Sequence, residues 1–261
     1  MRVIAVSDAS LELVLETDLA RLIGQLAAWW GNARFATLTP YAPMVIAAQE
    51  YATSWRTWEM KPYLTIDGWP IDAVRDTRYL SPHLTELCVD AVASLAQRDA
   101  YAAVVASLHW AALLERVRAV WPPDLEPTLA DQRLLREHLV EAMWEEGAYR
   151  VEADAAHLAR NAAALQTLDA LATWLMSHPR PNDTLTLRAP AEEEEEADVR
   201  VCALLSDAVA LEPYPFGANP LEVTWTVRVV PNCAYASQGE FLEYFFRSPQ
   251  VQRRRTLLSA P

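Results

Sequence analysis

The sequence predicts a mainly α-helical protein in which strands from both ends of the chain form one small β-sheet. Apolar residues recur at intervals of three and four between residues 17 and 178, as on the buried face of a helix. Before and after this region, short segments alternate apolar and polar residues and are rich in valine, as strands are. With 261 residues, 52% of them hydrophobic, the chain can bury a large core. We therefore expect a single domain, 1–261, with β segments in 1–16, a helical body in 17–178 and a mainly β part in 179–261.

The helical body begins after a predicted hairpin, in which "RVIAV" and "LELVLE" flank the turn-like "SDAS". Thr17 is the predicted N-cap of the first helix, which the glycine at 31 ends. Proline or aspartate capping patterns predict three further helix starts, and a glycine predicts one interruption. They are Thr39-Pro40, Ser81-Pro82 for a helix to Gln97, Asp99 for a helix ending before Trp121, and Gly147 as a break within 128–177. Residues 61–80 are predicted to form a loop.

The C-terminal part is predicted to be mostly strands. "TLTLRA", "VRVCALL", "AVALEP" and "LEVTWTVRVV" have strand patterns, and "GEFLEYFF" has the pattern of a short helix. The glutamates at 192–196 are expected to form a solvated loop, and the arginines at 253–255 a solvated end.

Charge and cysteine content exclude several classes of protein. Lys and Arg total 22 and Asp and Glu total 35, which gives a net charge of −13. Such a surface repels nucleic acid and anionic membranes, so neither is an expected partner. Three cysteines without paired spacing, and a start without a signal peptide or membrane span, predict a cytoplasmic protein. Exposed strand edges near either terminus would allow a homodimer.

Three residues are candidate metal ligands. His83 lies in the first turn of a predicted helix, and His109 is embedded in the apolar run "VVASLHWAALL". Asp169 interrupts the apolar pattern of "LQTLDALATWLM", where a buried carboxylate needs a partner. Imidazoles on neighbouring helices converge easily on a metal ion. The ordinary alternatives are a hydrogen-bonded core histidine and an aspartate paired with an arginine or a helix cap.

Five stretches resemble a known bacterial family, the domain of unknown function 3891. They are "TDLARLIGQLAAWWGNARF", "VIAAQEYATSWRTWE", "RDAYAAVVASLHWAALL", "LQTLDALATWL" and "LEPYPF", in the order and spacing of that family. The resemblance implies an HD-like helical bundle, similar to metal-dependent phosphohydrolases in which histidines and aspartates hold one or two divalent ions.

The same resemblance implies that most metal ligands have been replaced. Leu19 stands where the family usually shows a histidine, and Tyr51 and Ala52 stand where it shows His-Asp. His83, His109 and Asp169 still match the family pattern. Glu50 and Trp55 flank the altered positions and are candidate residues of a remnant pocket.

Three functions fit these residues. The favoured one is a catalytically degenerate homologue that keeps a pocket and needs no cofactor. The second is an active phosphohydrolase with one divalent metal on a reduced His/His/Asp site. The third is a non-enzymatic protein-interaction module that uses the acidic surface and the strands of 199–230.

Overall fold

The computed structural model describes residues 1–116, 125–191, 196–205 and 207–260, apart from the side chains at 81 and 82. It is 48% helical and 21% strand. The strands are β1 (Arg2–Ala5), β2 (Ser10–Val14), β3 (Thr184–Ala189), β4 (Ala197–Ala203), β5 (Ala208–Glu212), β6 (Leu221–Pro231) and β7 (Gln250–Ser259). The helices are α1 (Glu16–Trp29), α2 (Tyr41–Glu50), α3 (Trp55–Glu59), α4 (Thr77–Ala96), α5 (Ala100–Arg116), α6 (Leu125–Glu146), α7 (Ala155–Met176) and α8 (Gln238–Arg247).

All these strands belong to one sheet, in the order β1-β2-β6-β7-β5-β4-β3. Neighbouring strands are antiparallel except β5 and β7, which are parallel. The sheet curls into a half-barrel. The prediction of a mainly α, HD-like helical bundle with a small sheet is therefore wrong. The N- and C-terminal strands do share a sheet, but that sheet is a principal layer of the molecule.

The C-terminal tail explains most of this error. The segment predicted as a solvated end forms β7, which lies between β6 and β5 inside the sheet. Side chains alternate along a strand, so Arg253 and Arg255 share a face with the buried Leu257. Charged residues at these inward positions conceal the apolar alternation that identifies a strand.

The two faces of the sheet are covered differently. On β2, Val14 belongs to the main core that includes α1 and α7, and Leu11 and Leu13 point to the opposite face. There they pack with Phe241 and Phe245 of α8 in a second, smaller core. Glu12 shares the face of Val14 and is fully buried.

Most of the predicted elements are confirmed, with shifted ends. The hairpin, the four strand patterns, the break at Gly147 and the cap at Asp99, which accepts from the Ala102 amide at 2.8 Å, are all present. Helix α4 begins at Thr77, inside the predicted loop, and Leu15 rather than Thr17 caps α1. Residues 192–195 of the predicted acidic loop, and the residues after α5 up to 124, lie outside the described residues. That the chain forms one domain stays a prediction.

None of the helices in the described ranges combines the length and apolar character needed to span a bilayer.

Candidate functional site

A cavity of about 550 Å³ lies where the two edge strands of the curled sheet approach the helices. Arg2 of β1 and Leu185 of β3 both line it, although these strands are at opposite ends of the strand order. The remaining walls come from α1, α3, α4, α5 and α7 and from the chain segments that follow α2 and precede α4. Because curling brings both sheet edges to one place, the cavity depends on the whole half-barrel.

Three tryptophans and several leucines make the walls largely apolar. Trp55, Trp110 and Trp174 line the cavity, together with Leu84 and Leu113. Trp110 is held in place by its indole N–H, which donates to the carbonyl oxygen of Tyr51 at 2.9 Å. Aromatic side chains give such a cavity a large, rigid contact surface for a ligand.

Paired charges form one side of the cavity. Arg2 Nε donates to Glu16 Oε1 at 2.8 Å, and the α-amino nitrogen of Met1 lies 3.2 Å from the same oxygen. Burial opposes ionisation of Glu16, but Arg2 and the amino group outweigh it and hold the pKa of Glu16 below its ordinary value. Glu16 is therefore an anion at neutral pH, and the positive charges of Arg2 and the Met1 amino group offset its negative charge.

Behind this pair lies Glu59, a buried carboxyl group on α3. It accepts hydrogen bonds from the backbone amide of Glu16 and, at 2.7 Å, from the hydroxyl of Thr17. Burial raises the pKa of Glu59 to about 7, although the α-amino group of Met1 and the Thr17 hydroxyl act in the opposite direction.

The raised pKa of Glu59 predicts that stability falls as pH rises through neutrality. In the unfolded chain the pKa of a glutamate is about 4.3. The folded protein therefore binds more protons than the unfolded chain between about pH 4 and 7, and its free energy of unfolding decreases as pH rises across that window. Urea unfolding measured between pH 5 and 8 should show that the free energy of unfolding decreases less with rising pH in Glu59→Gln than in the wild type.

The matched control for this series is Glu243→Gln, which alters an exposed acid paired with Arg247 on α8. It should preserve the wild-type pH dependence. If the free energy of unfolding varied with pH in the same way in Glu59→Gln and in the wild type, the assignment of this pH dependence to Glu59 would be contradicted.

Asp169, Tyr51 and His109 lie together beside the paired charges. The Tyr51 hydroxyl donates to Asp169 Oδ1 at 3.5 Å, and the Tyr51 ring packs edge-to-face with His109, with centroids 4.8 Å apart. Burial and the Asp169 charge both raise the pKa of Tyr51, so the phenol stays protonated. Burial lowers the pKa of His109 to about 4, against the opposing effect of Asp169. His109 is therefore neutral, and neither ring nitrogen has a hydrogen-bond partner among the described residues.

His83 lies apart from this group. Its side chain is 49% exposed, and its Nδ1 lies 3.6 Å from Glu86 on the same helix. Its ring packs 5.1 Å from Trp58, outside the cavity lining. The structure thus brings together two of the three candidate ligands, His109 and Asp169, and places the third elsewhere.

Comparison with known proteins gives one match. The family model described as "Protein of unknown function (DUF3891)" matches residues 3–232. The chain belongs to the DUF3891 family. No curated protein and no solved structure matches.

Leu19, Tyr51 and Ala52, the positions at which the sequence resemblance implies replaced ligands, are buried in this DUF3891 chain. Leu19 and Ala52 are buried in the main apolar core. Tyr51 and Trp55 line the cavity, whereas Glu50 lines a separate polar cleft and binds Arg98. In the described parts of the chain, no three His, Cys, Asp or Glu side chains lie close enough to hold a metal ion together.

Sequence reasoning missed several residues of the site, among them Arg2, Glu16 and Trp174. Arg2 and Glu16 lie at the two ends of the hairpin, far from Asp169 in sequence, and no local pattern links them to it. Trp174, five residues after Asp169, fits the apolar pattern of α7, and its place in the cavity wall has no separate signal. The charged residues at the two ends of the hairpin, Arg2 as its first residue and Glu16 just after it, were the only hint.

Proposed function

We propose that this chain binds a small, largely apolar ligand in the tryptophan-walled cavity and does not carry out metal-dependent phosphoester hydrolysis. The observation that carries the proposal is the cavity itself, about 550 Å³ in volume, with apolar walls and a few buried polar groups on one side. Sites for small molecules have this size and this composition. A phosphoester, in contrast, needs several free cationic donors, and Arg2 is already paired with Glu16.

The residues at the altered family positions support loss of catalysis. Leu19 and Ala52 have no donor atom for a metal, and both are packed in the core. Tyr51 has its hydroxyl on Asp169 and its ring against His109, and burial raises its pKa well above the ordinary value. A phenol that stays protonated is a poor metal ligand.

One observation favours the alternative of an active site with a single metal. The two ring nitrogens of His109 have no hydrogen-bond partner in the described structure, and the Asp169 carboxylate acts on this ring. These two side chains could hold an ion if Tyr51 turned away. Stoichiometric metal in the purified protein that disappears in His109→Ala, with turnover of phosphoesters, would establish this alternative and refute the proposal.

The proposal is tested by adding 2-phenylethanol, a neutral aromatic compound, to ¹⁵N-labelled protein. The indole N–H signals of Trp55, Trp110 and Trp174 should shift in a saturable way at millimolar or lower concentration. The indoles of Trp29 and Trp144 are internal controls, because both residues are 51% exposed and outside the cavity, and they should not shift. Saturable shifts at the control indoles, or none at the cavity indoles with this compound and a panel of neutral aromatic fragments, would refute the proposal.

A further inference from the structure

We propose that the ligand of this cavity carries a protonated amine, which binds Asp169, on an apolar body that packs between the tryptophans. This inference rests on the proposed function, because it assigns a chemical class to the ligand of the same cavity.

Asp169 has acceptor capacity that the protein leaves unused. It is 5% exposed, lines the cavity from α7, and its one described hydrogen bond is to the Tyr51 hydroxyl at 3.5 Å. That distance is at the outer limit for a hydrogen bond, and an ionised carboxylate can accept about four. A buried carboxylate with so few donors is stabilised by a ligand that supplies them.

The charges around Asp169 also favour a cation. Three buried carboxyl groups, Glu16, Glu59 and Asp169, face two cations, the partly buried Arg2 and the buried α-amino group of Met1. Arg116 lines the cavity as well, but it is exposed, so water and salt screen its charge. The inner group therefore lacks positive charge to the extent that Glu59, with its pKa raised to about 7, is ionised, and an ammonium group on the ligand provides that charge.

The tryptophan walls of the cavity and the net charge of the whole molecule also favour a cationic ligand. Trp55, Trp110 and Trp174 line the cavity, and tryptophan binds a cation over its ring face more strongly than other aromatic residues do. The net charge of −13 attracts cationic ligands and repels anionic ones. A carboxylate ligand would have to compete with Glu16 for Arg2 and would lie beside Asp169.

Three compounds of matched shape test the inference on the intact wild-type chain: 2-phenylethylamine, 2-phenylethanol and 3-phenylpropionate. Titration calorimetry at pH 7 should give the amine a dissociation constant about tenfold or more below that of the alcohol, with the acid weakest. In Asp169→Asn, the amine should lose this advantage while the alcohol binds as in the wild type. Asp198→Asn, at an exposed position on β4, is the control for the change in net charge and should keep the wild-type order.

The wild-type ranking decides the inference even if Asp169→Asn does not fold. An alcohol or an acid that binds the wild type as tightly as the amine overturns the amine assignment and leaves the proposed cavity function intact. If none of the three compounds binds at millimolar concentration, the amine assignment is overturned, and the proposed cavity function is overturned with it when the panel of neutral aromatic fragments shifts no cavity indole either. An amine preference that persists in folded Asp169→Asn overturns the role of Asp169.

Discussion

Glu12→Gln is expected to lower the free energy of unfolding by about 2 kcal/mol at pH 7. Glu12 is fully buried on β2, where His178 Nε2 lies 2.6 Å from Oε2 and Arg253 Nε donates to Oε1 at 2.8 Å. The carboxylate therefore joins the end of α7 to the N-terminal hairpin and to β7. Glutamine keeps the shape but removes the charge and replaces one acceptor by a donor. The cost stays below that of a fully buried pair, ~3–5 kcal/mol, because Arg253 is 37% exposed and can turn to water.

Urea unfolding measures this effect, with Glu222→Gln as the control. Glu222 lies 3.7 Å from Arg254, both side chains are more than half exposed, and this substitution should leave the free energy of unfolding unchanged. Equal stability of Glu12→Gln and the wild type at pH 7 would show that the buried carboxylate contributes nothing.

The effect of Glu12→Gln should also depend on pH. Burial opposes the charge of Glu12, but hydrogen bonds from His178 and Arg253 outweigh it and lower the pKa of Glu12 below its ordinary value. A carboxyl with a lowered pKa stabilises the folded state above its pKa in the unfolded chain and loses that contribution as pH falls through its folded pKa. The difference between wild type and variant should therefore be complete at pH 7 and shrink below about pH 4.

Helices were predictable because their burial pattern is local. Leu19, Leu22, Ile23 and Leu26 recur at three- and four-residue intervals, and all four are fully buried on α1. Such a pattern is contained within one segment, so no knowledge of the rest of the fold is needed to read it. The same holds for Gly147, whose positive φ of 75° suits the break between α6 and α7.

The sheet was underestimated because its central partners are far apart in sequence. Arg253 is 241 residues from Glu12, and only the folded chain shows that this arginine is an inward residue with a buried partner. A strand whose inward positions include arginines lacks the alternation by which strands are recognised. Without β7, the strands β6 and β5 have no common neighbour, and the predicted sheet stays small.

The candidate site was predictable only in part, for a similar reason. Asp169 was identified because a carboxylate in an apolar stretch has a free-energy cost that needs an explanation. Tyr51 was read as a lost ligand, yet its hydroxyl contacts that same carboxylate. Arg2 reaches this group because the sheet curls, which no local pattern indicates.

Ala170→Trp is expected to weaken the binding of 2-phenylethanol by more than about 100-fold. Ala170 lies next to Asp169 on α7 and lines the cavity. A tryptophan at this position would fill space that the ligand needs, and its indole would pack against the apolar walls. Because the cavity provides room, the protein should fold with little of the ~1–3 kcal/mol cost of overpacking a core. Titration calorimetry gives the affinity, and circular dichroism with thermal unfolding checks the fold.

Ala163→Trp is the matched control, because it makes the same change at a partly buried position of α7 outside the cavity. The two alanines are seven residues apart, two helical turns, so they lie on a similar side of the helix. The control variant should bind 2-phenylethanol as the wild type does. Loss of binding in both variants would point to a general disturbance of α7. Binding retained in folded Ala170→Trp would place the ligand elsewhere, and the tryptophan-walled cavity would then not be the site.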